Sequence, residues 1–186
     1  MLKLSQFFSR MANVKTFIAA TVVYLLYATL IMGKGAETIS QYAGKPVEIF
    51  DLQVTGYSPA RAAEIQADYT PEARAYAVKF NLIADSIYPV VYTFLYIILL
   101  ALTYKTLVPR NSLYTHIHLL PFSTMLIDYA ENSCIAAMMR NYPHVSDSLV
   151  NLSSTLTVIK WSTLGITTAV AIWGWALLVY YKWVKK

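Results

Sequence analysis

The chain predicts an all-α integral membrane protein: an antiparallel four-helix bundle with a small extracytoplasmic cap between its first two helices. Three observations predict it. Of 186 residues, 57% are hydrophobic and 13% charged, against about 25% charged in ordinary soluble domains. Four apolar runs each have about the 20 residues that an α-helix needs to cross a bilayer. The one sizeable polar segment, 33–78, falls between the first and second of those runs.

The elements follow in order. In residues 1–13, Leu4, Phe8 and Met11 share a helical face and Lys3 and Arg10 lie off it. The segment reads as a short helix in the membrane interface or as a disordered terminus. The first span covers 14–32, between Lys15 and Gly33-Lys34-Gly35. Its apolar core is too long for a signal peptide, and no small-residue cleavage site follows.

The cap covers 33–78 and is close to electrically neutral. Val47, Ile49, Leu52 and Val54 suggest a short extended piece ending at Gly56. Tyr57-Ser58-Pro59 is echoed twelve residues later by Tyr69-Thr70-Pro71. A Ser or Thr before Pro marks an N-cap with proline at the first helical position. Two helix starts follow, at Pro59 and Pro71, the first helix ending near Asp68 and the second running into the membrane.

The second span is 79–103, with a kink expected at Pro89. The third is 113–139. Pro121 lies inside it, or else begins its helix and leaves 112–119 as an interfacial segment. The fourth is 150–181. Basic residues cluster at Lys3, Arg10 and Lys15, at Lys105 and Arg110, and at Lys182, Lys185 and Lys186. The positive-inside rule then places both termini and the 104–112 loop in the cytoplasm, and the cap outside a bacterial inner membrane.

Several chemistries are excluded. A single cysteine, Cys134, rules out an internal disulfide and a two-thiol relay, and no zinc-type Cys/His cluster exists. His116 and His118 are two apart and cannot share a helical face. No metal or cofactor is expected. The net charge of +5 belongs to the membrane flanks, since no basic stripe with interleaved aromatics marks nucleic-acid binding.

The stretch Ile127–Cys134 carries Asp128, Glu131 and Asn132 inside an apolar run. Positions i, i+3 and i+4 share a face. An ionised carboxylate at the centre of a spanning helix costs about 2.5–3.5 kcal/mol, so compensation is required. Counted down from the outer surface, Asp85, Asp128, Glu131 and Lys160 occupy one layer about 9 to 18 Å deep at helical rise. Asn81, Asp85, Tyr88 and Tyr92 make a polar stripe on the second span. Thr157 and Lys160 do the same on the fourth, with Ser153 nearer the mouth. Candidate catalytic residues are therefore Asp85, Asp128, Glu131 and Lys160, and candidate ligand-binding residues Asn81, Tyr88, Tyr92, Asn132 and Thr157.

Gly56-Tyr57-Ser58-Pro59, Asp85 with Tyr88-Pro89, Asp128-Tyr129-Ala130-Glu131-Asn132 and Lys160-Trp161 occur in that order. From about residue 50 onward this pattern resembles an uncharacterised group of small bacterial four-span membrane proteins. The resemblance implies the same four-span layout and makes the matching residues the ones to test. It implies no reaction.

Three functions fit the residues. The first is binding of a lipid or other amphiphile, extending to acid–base processing of it, because intramembrane charges mark functional sites. The second is a structural or accessory membrane subunit whose buried charges only hold the bundle together. The third, ion or proton movement, is disfavoured because the run Phe94–Leu102 offers no relay. Beyond the bilayer and such a ligand, the sequence names no partner.

Overall fold

The computed structural model describes residues 2–107 and 113–184. Arg110, Lys185 and Lys186, on which part of the expected orientation rests, lie outside them, as does the side chain of Lys3. The described residues are helical, with no strand among them.

Helix α1 spans Leu2–Met11 and α2 spans Val14–Leu26. Asn13 caps α2 by accepting from the Thr16 N–H at 3.0 Å. The backbone widens into π-helical turns over Tyr27–Gly33 and continues as α3, Lys34–Ala43. The whole of Val14–Ala43 is one helix. Gly33-Lys34-Gly35, expected to end the first span, does not end it. Gly35 is a packing residue: a Cβ there would lie 2.1 Å from the Phe80 ring. The helix stops at Gly44, whose φ of 72° suits only glycine well.

The extended piece expected at 47–54 is instead irregular chain around one helical turn, Phe50–Leu52. Phe50 is almost fully buried, and anchoring its ring curls the backbone. Both echoed motifs start helices as expected. Ser58 caps α4, Pro59–Ala67, and Thr70 caps α5, Pro71–Tyr104. Helix α5 runs unbroken through Pro89. A 3-10 stretch occupies Leu113–Leu119, and α6 begins at Pro121 and ends at Asn141. Of the two readings of Pro121, the helix start is the one adopted. Helix α7 covers Asp147–Val184.

Three helices are long and apolar enough to cross a membrane: Val14–Ala43, Pro71–Tyr104 and Asp147–Val184. They leave large apolar side chains outward, among them Val22, Leu26, Ile83, Ile87, Ile166 and Trp173. Apolar surface on that scale marks contact with lipid or a partner. Helix α5 is the centre of the assembly, packing on α2, α3, α6 and α7, and α6 also packs on α7.

Helix α1 lies across the end of α5 away from the cap. Its inward line is Ser5, Phe8 and Ala12 rather than Leu4, Phe8 and Met11; Leu4 is exposed. The Phe8 ring meets Phe94 and Phe122, and Lys105 Nζ donates to the Ala12 carbonyl at 2.6 Å. Those inward residues are what turn an amphipathic terminus onto the bundle.

At the opposite end, Ile39, Phe50, Tyr57, Ala62, Ile65 and Tyr69 form one apolar cluster with Ile135, Met138 and Val150. Cap and helix ends therefore share a core. On its surface Arg61 pairs with Glu48 and Glu64, and Lys45 with Asp68 at 2.5 Å.

Candidate functional site

The cap is pinned to α7 by backbone as well as side chain. The Tyr57 N–H donates to Ser154 Oγ and the Tyr57 hydroxyl to Ser153 Oγ, each at 2.8 Å. Gly56 allows this approach twice over. Its φ is 81°, and a Cβ would sit 2.7 Å from Ser154 Oγ. Burial pushes the Tyr57 phenol up to about 12, against the opposing influence of its hydrogen-bonding neighbours Ser153 and Thr157.

This docking delivers Asp51 to the helices. Lys160 Nζ donates to the Asp51 carboxylate, and Trp161 Nε1 donates to the Asp51 carbonyl at 2.8 Å. Two adjacent residues of α7 thus hold the side chain and the backbone of one cap residue. Asp51 is absent from the sequence-based set. Nothing local separates it from the other acids of a polar loop. The Lys160-Trp161 pair was the available signal, but a signal for a partner of unspecified position.

Lys160 Nζ also lies 2.7 Å from Glu131 Oε2, an ion-pair distance without hydrogen-bond alignment. Glu131 is fully buried, and its Oε1 accepts from the Thr157 hydroxyl at 2.6 Å. So Glu131, Thr157 and Lys160 meet as expected. The ammonium is shared between a helix carboxylate and a cap carboxylate.

Beside it lies a second arrangement. Asp128 accepts from the Tyr92 hydroxyl at 2.9 Å and from Asn132 Nδ2 at 3.1 Å. The same amide nitrogen is 3.4 Å from the Asp85 carbonyl oxygen, and Asn81 Nδ2 donates to Asn132 Oδ1 at 3.3 Å. Asp85 is the remaining acid of the sequence-based set. Its side chain is buried, with 5% of the residue exposed, yet Lys160 does not pair with it. Among the described residues no side chain donates to its carboxyl group. The Tyr88 hydroxyl donates to Tyr24 at 3.2 Å rather than to an acid, and its ring stacks with Tyr24 and Tyr27 and meets Tyr92 edge-on.

Two acids, Asp51 and Glu131, therefore hold the ammonium, and Asp85 and Asp128 are buried without pairing to it. Carboxylate oxygens of Asp51, Asp128 and Glu131 come within 4.8 Å of one another. A set of hard oxygen ligands of this kind, which the sequence does not anticipate, could hold a cation. Any such ion would compete with the Lys160 ammonium for Asp51 and Glu131.

Toward α1 the helices enclose no further acids but leave an apolar cleft of about 640 Å³ among α2, α5 and α7. Phe17, Tyr24, Leu95, Leu99, Ile172 and Trp175 line it. Tyr24 belongs both to this wall and to the tyrosine stack beside Asp85.

The arrangement can bind a polar or cationic group out of water, and it can move a proton among neighbouring carboxyl and hydroxyl groups. No family model, no curated protein and no solved structure matches this chain.

Proposed function

We propose that this chain is a four-span protein of a bacterial cytoplasmic membrane that binds a lipid or other amphiphile at its buried acidic cluster. Helix α6 is the fourth crossing. It is not among the helices apolar enough to qualify by composition, because it carries Asp128, Glu131 and Asn132; those side chains are buried against α5 and α7. The four crossings form an antiparallel bundle. Both termini are cytoplasmic and the cap lies outside, with Lys15, Lys105 and Lys182 at the inner ends.

The observation that carries the binding reading is the excess of acid over base. Fixing helix register needs one pair, and Lys160 with Glu131 provides it. Asp85 and Asp128 add buried carboxyl groups that no cation among the described residues pairs with, an expense that intramembrane sites carry for function. Glu131 or Asp128 would supply the general acid or base if the ligand is processed.

Native mass spectrometry of gently purified protein tests the reading. A stoichiometric amphiphile on the wild type, lost in Glu131→Gln, is the expected result. Protein that carries no amphiphile, or equal amounts in both forms, ends it.

A structural or accessory role is the second reading. It is favoured by how completely Lys160 is engaged, by Glu131 in the helices and Asp51 in the cap. On that reading Lys160→Met with Glu131→Gln leaves a folded protein and an unchanged phenotype.

A further inference from the structure

We infer that the ligand is an amphiphile with a cationic amine headgroup, its ammonium between Asp85 and Asp128 and its chain in the cleft among α2, α5 and α7. This deepens the amphiphile-binding reading and rests on it.

Charge selects the headgroup. Lys160 is committed to Asp51 and Glu131, and among the described residues no other ion pair reaches the cluster. Asp85 is nine-tenths buried, and among the described residues its carboxyl group meets neither a donor nor a cation, while Asp128 meets the neutral donors Tyr92 and Asn132. An anionic head would face two uncompensated acids. A cationic one supplies the charge that the fold leaves out.

The walls agree with the charge. Tyr88 stacks with Tyr24 and Tyr27 at 5.9 and 6.1 Å between ring centres and meets Tyr92 edge-on at 5.6 Å. On α5, Asp85, Tyr88 and Tyr92 fall at i, i+3 and i+7, on one face. Carboxylates bordered by aromatic rings are the combination that holds organic ammonium ions, by charge and by cation–π attraction.

The cleft accounts for the rest of the ligand. It meets the tyrosine stack at Tyr24 and continues past Leu95 and Leu99 to Trp175. About 21 Å of helix separates Asp85 from Leu99, so a molecule that reaches both has a long apolar chain.

The test compares headgroups on one chain length. Full-length protein in an uncharged detergent is titrated with hexadecylamine, hexadecanol and hexadecyl sulfate, and binding is read by native mass spectrometry. The amine is expected to bind one per protein, about tenfold or more tighter than the alcohol, with the sulfate weakest. Asp85→Asn with Asp128→Asn should bring amine and alcohol level, and Leu99→Trp should weaken both alike by filling the cleft. Equal binding of amine and alcohol by the wild type overturns the inference without any variant, and so does an amine preference that survives in the folded double variant. If a native amphiphile is lost in Glu131→Gln but no amine preference exists, the inference falls and the amphiphile reading stands. If no amphiphile binds, both fall.

Discussion

The cluster has two sides, and they treat buried charge in opposite ways. On the α7 side, Lys160 is clamped between Glu131 and Asp51, and the cap closes over the pair. On the α5 side, Asp85 and Asp128 sit among tyrosines, and among the described residues no cation pairs with them. The first side resembles a structural lock, because each charge has a partner and the partners come from separate elements. The second resembles a receptor, because its charge is incomplete. On the proposed reading, one protein separates holding the fold from binding a ligand, within neighbouring turns of the same helices.

The contrast can be broken by mutation. Lys160→Met strands Glu131 and Asp51 and should lower stability by about 3–5 kcal/mol, read as thermal unfolding in detergent. Adding Glu131→Gln should recover part of that loss. Asp51→Asn should cost about 1.5–3 kcal/mol and should expose the 45–57 segment to protease before the helices melt. Asp85→Asn should act with the opposite sign, raising the stability of ligand-free protein by about 1 kcal/mol as an unanswered charge is removed. If both asparagine variants destabilise equally, the two sides do not differ as described.

The smallest effect concerns pH and is confined to the cap. The Tyr57 phenol ordinarily titrates near 10 and is pushed up to about 12 by burial. A group held protonated in the folded state contributes stability that is complete below its unfolded value and is lost as pH rises through its folded value. Cap docking should therefore weaken between about pH 10 and 12 while the helices persist. Amide exchange of residues 49–57 measures it, and Tyr57→Phe should shift the transition.

Much of this was legible in the sequence. Ser58-Pro59 and Thr70-Pro71 start helices because capping is decided within four residues of chain. Glu131, Thr157 and Lys160 could be matched in advance because helical rise converts residue number into depth. Gly35 was misleading for the same reason of locality. Glycine reads as a helix end along the chain, but here it makes room for Phe80 on another helix. Asp85 could be assigned to the same layer but to no partner, since depth does not fix which neighbour a side chain turns toward.

By itself the sequence determined the all-helical character, the long apolar helices and the common level of the acids, all set by periodicity and by the cost of exposing backbone or charge to hydrocarbon. Only the tertiary structure decided that Asp51 closes the lysine side, that no cation among the described residues pairs with Asp85, and that Tyr24 lines a cleft. Those outcomes depend on contacts such as Tyr57 with Ser153, 96 residues apart. Which distant groups meet is settled by how whole surfaces pack, and no local stretch of chain records it.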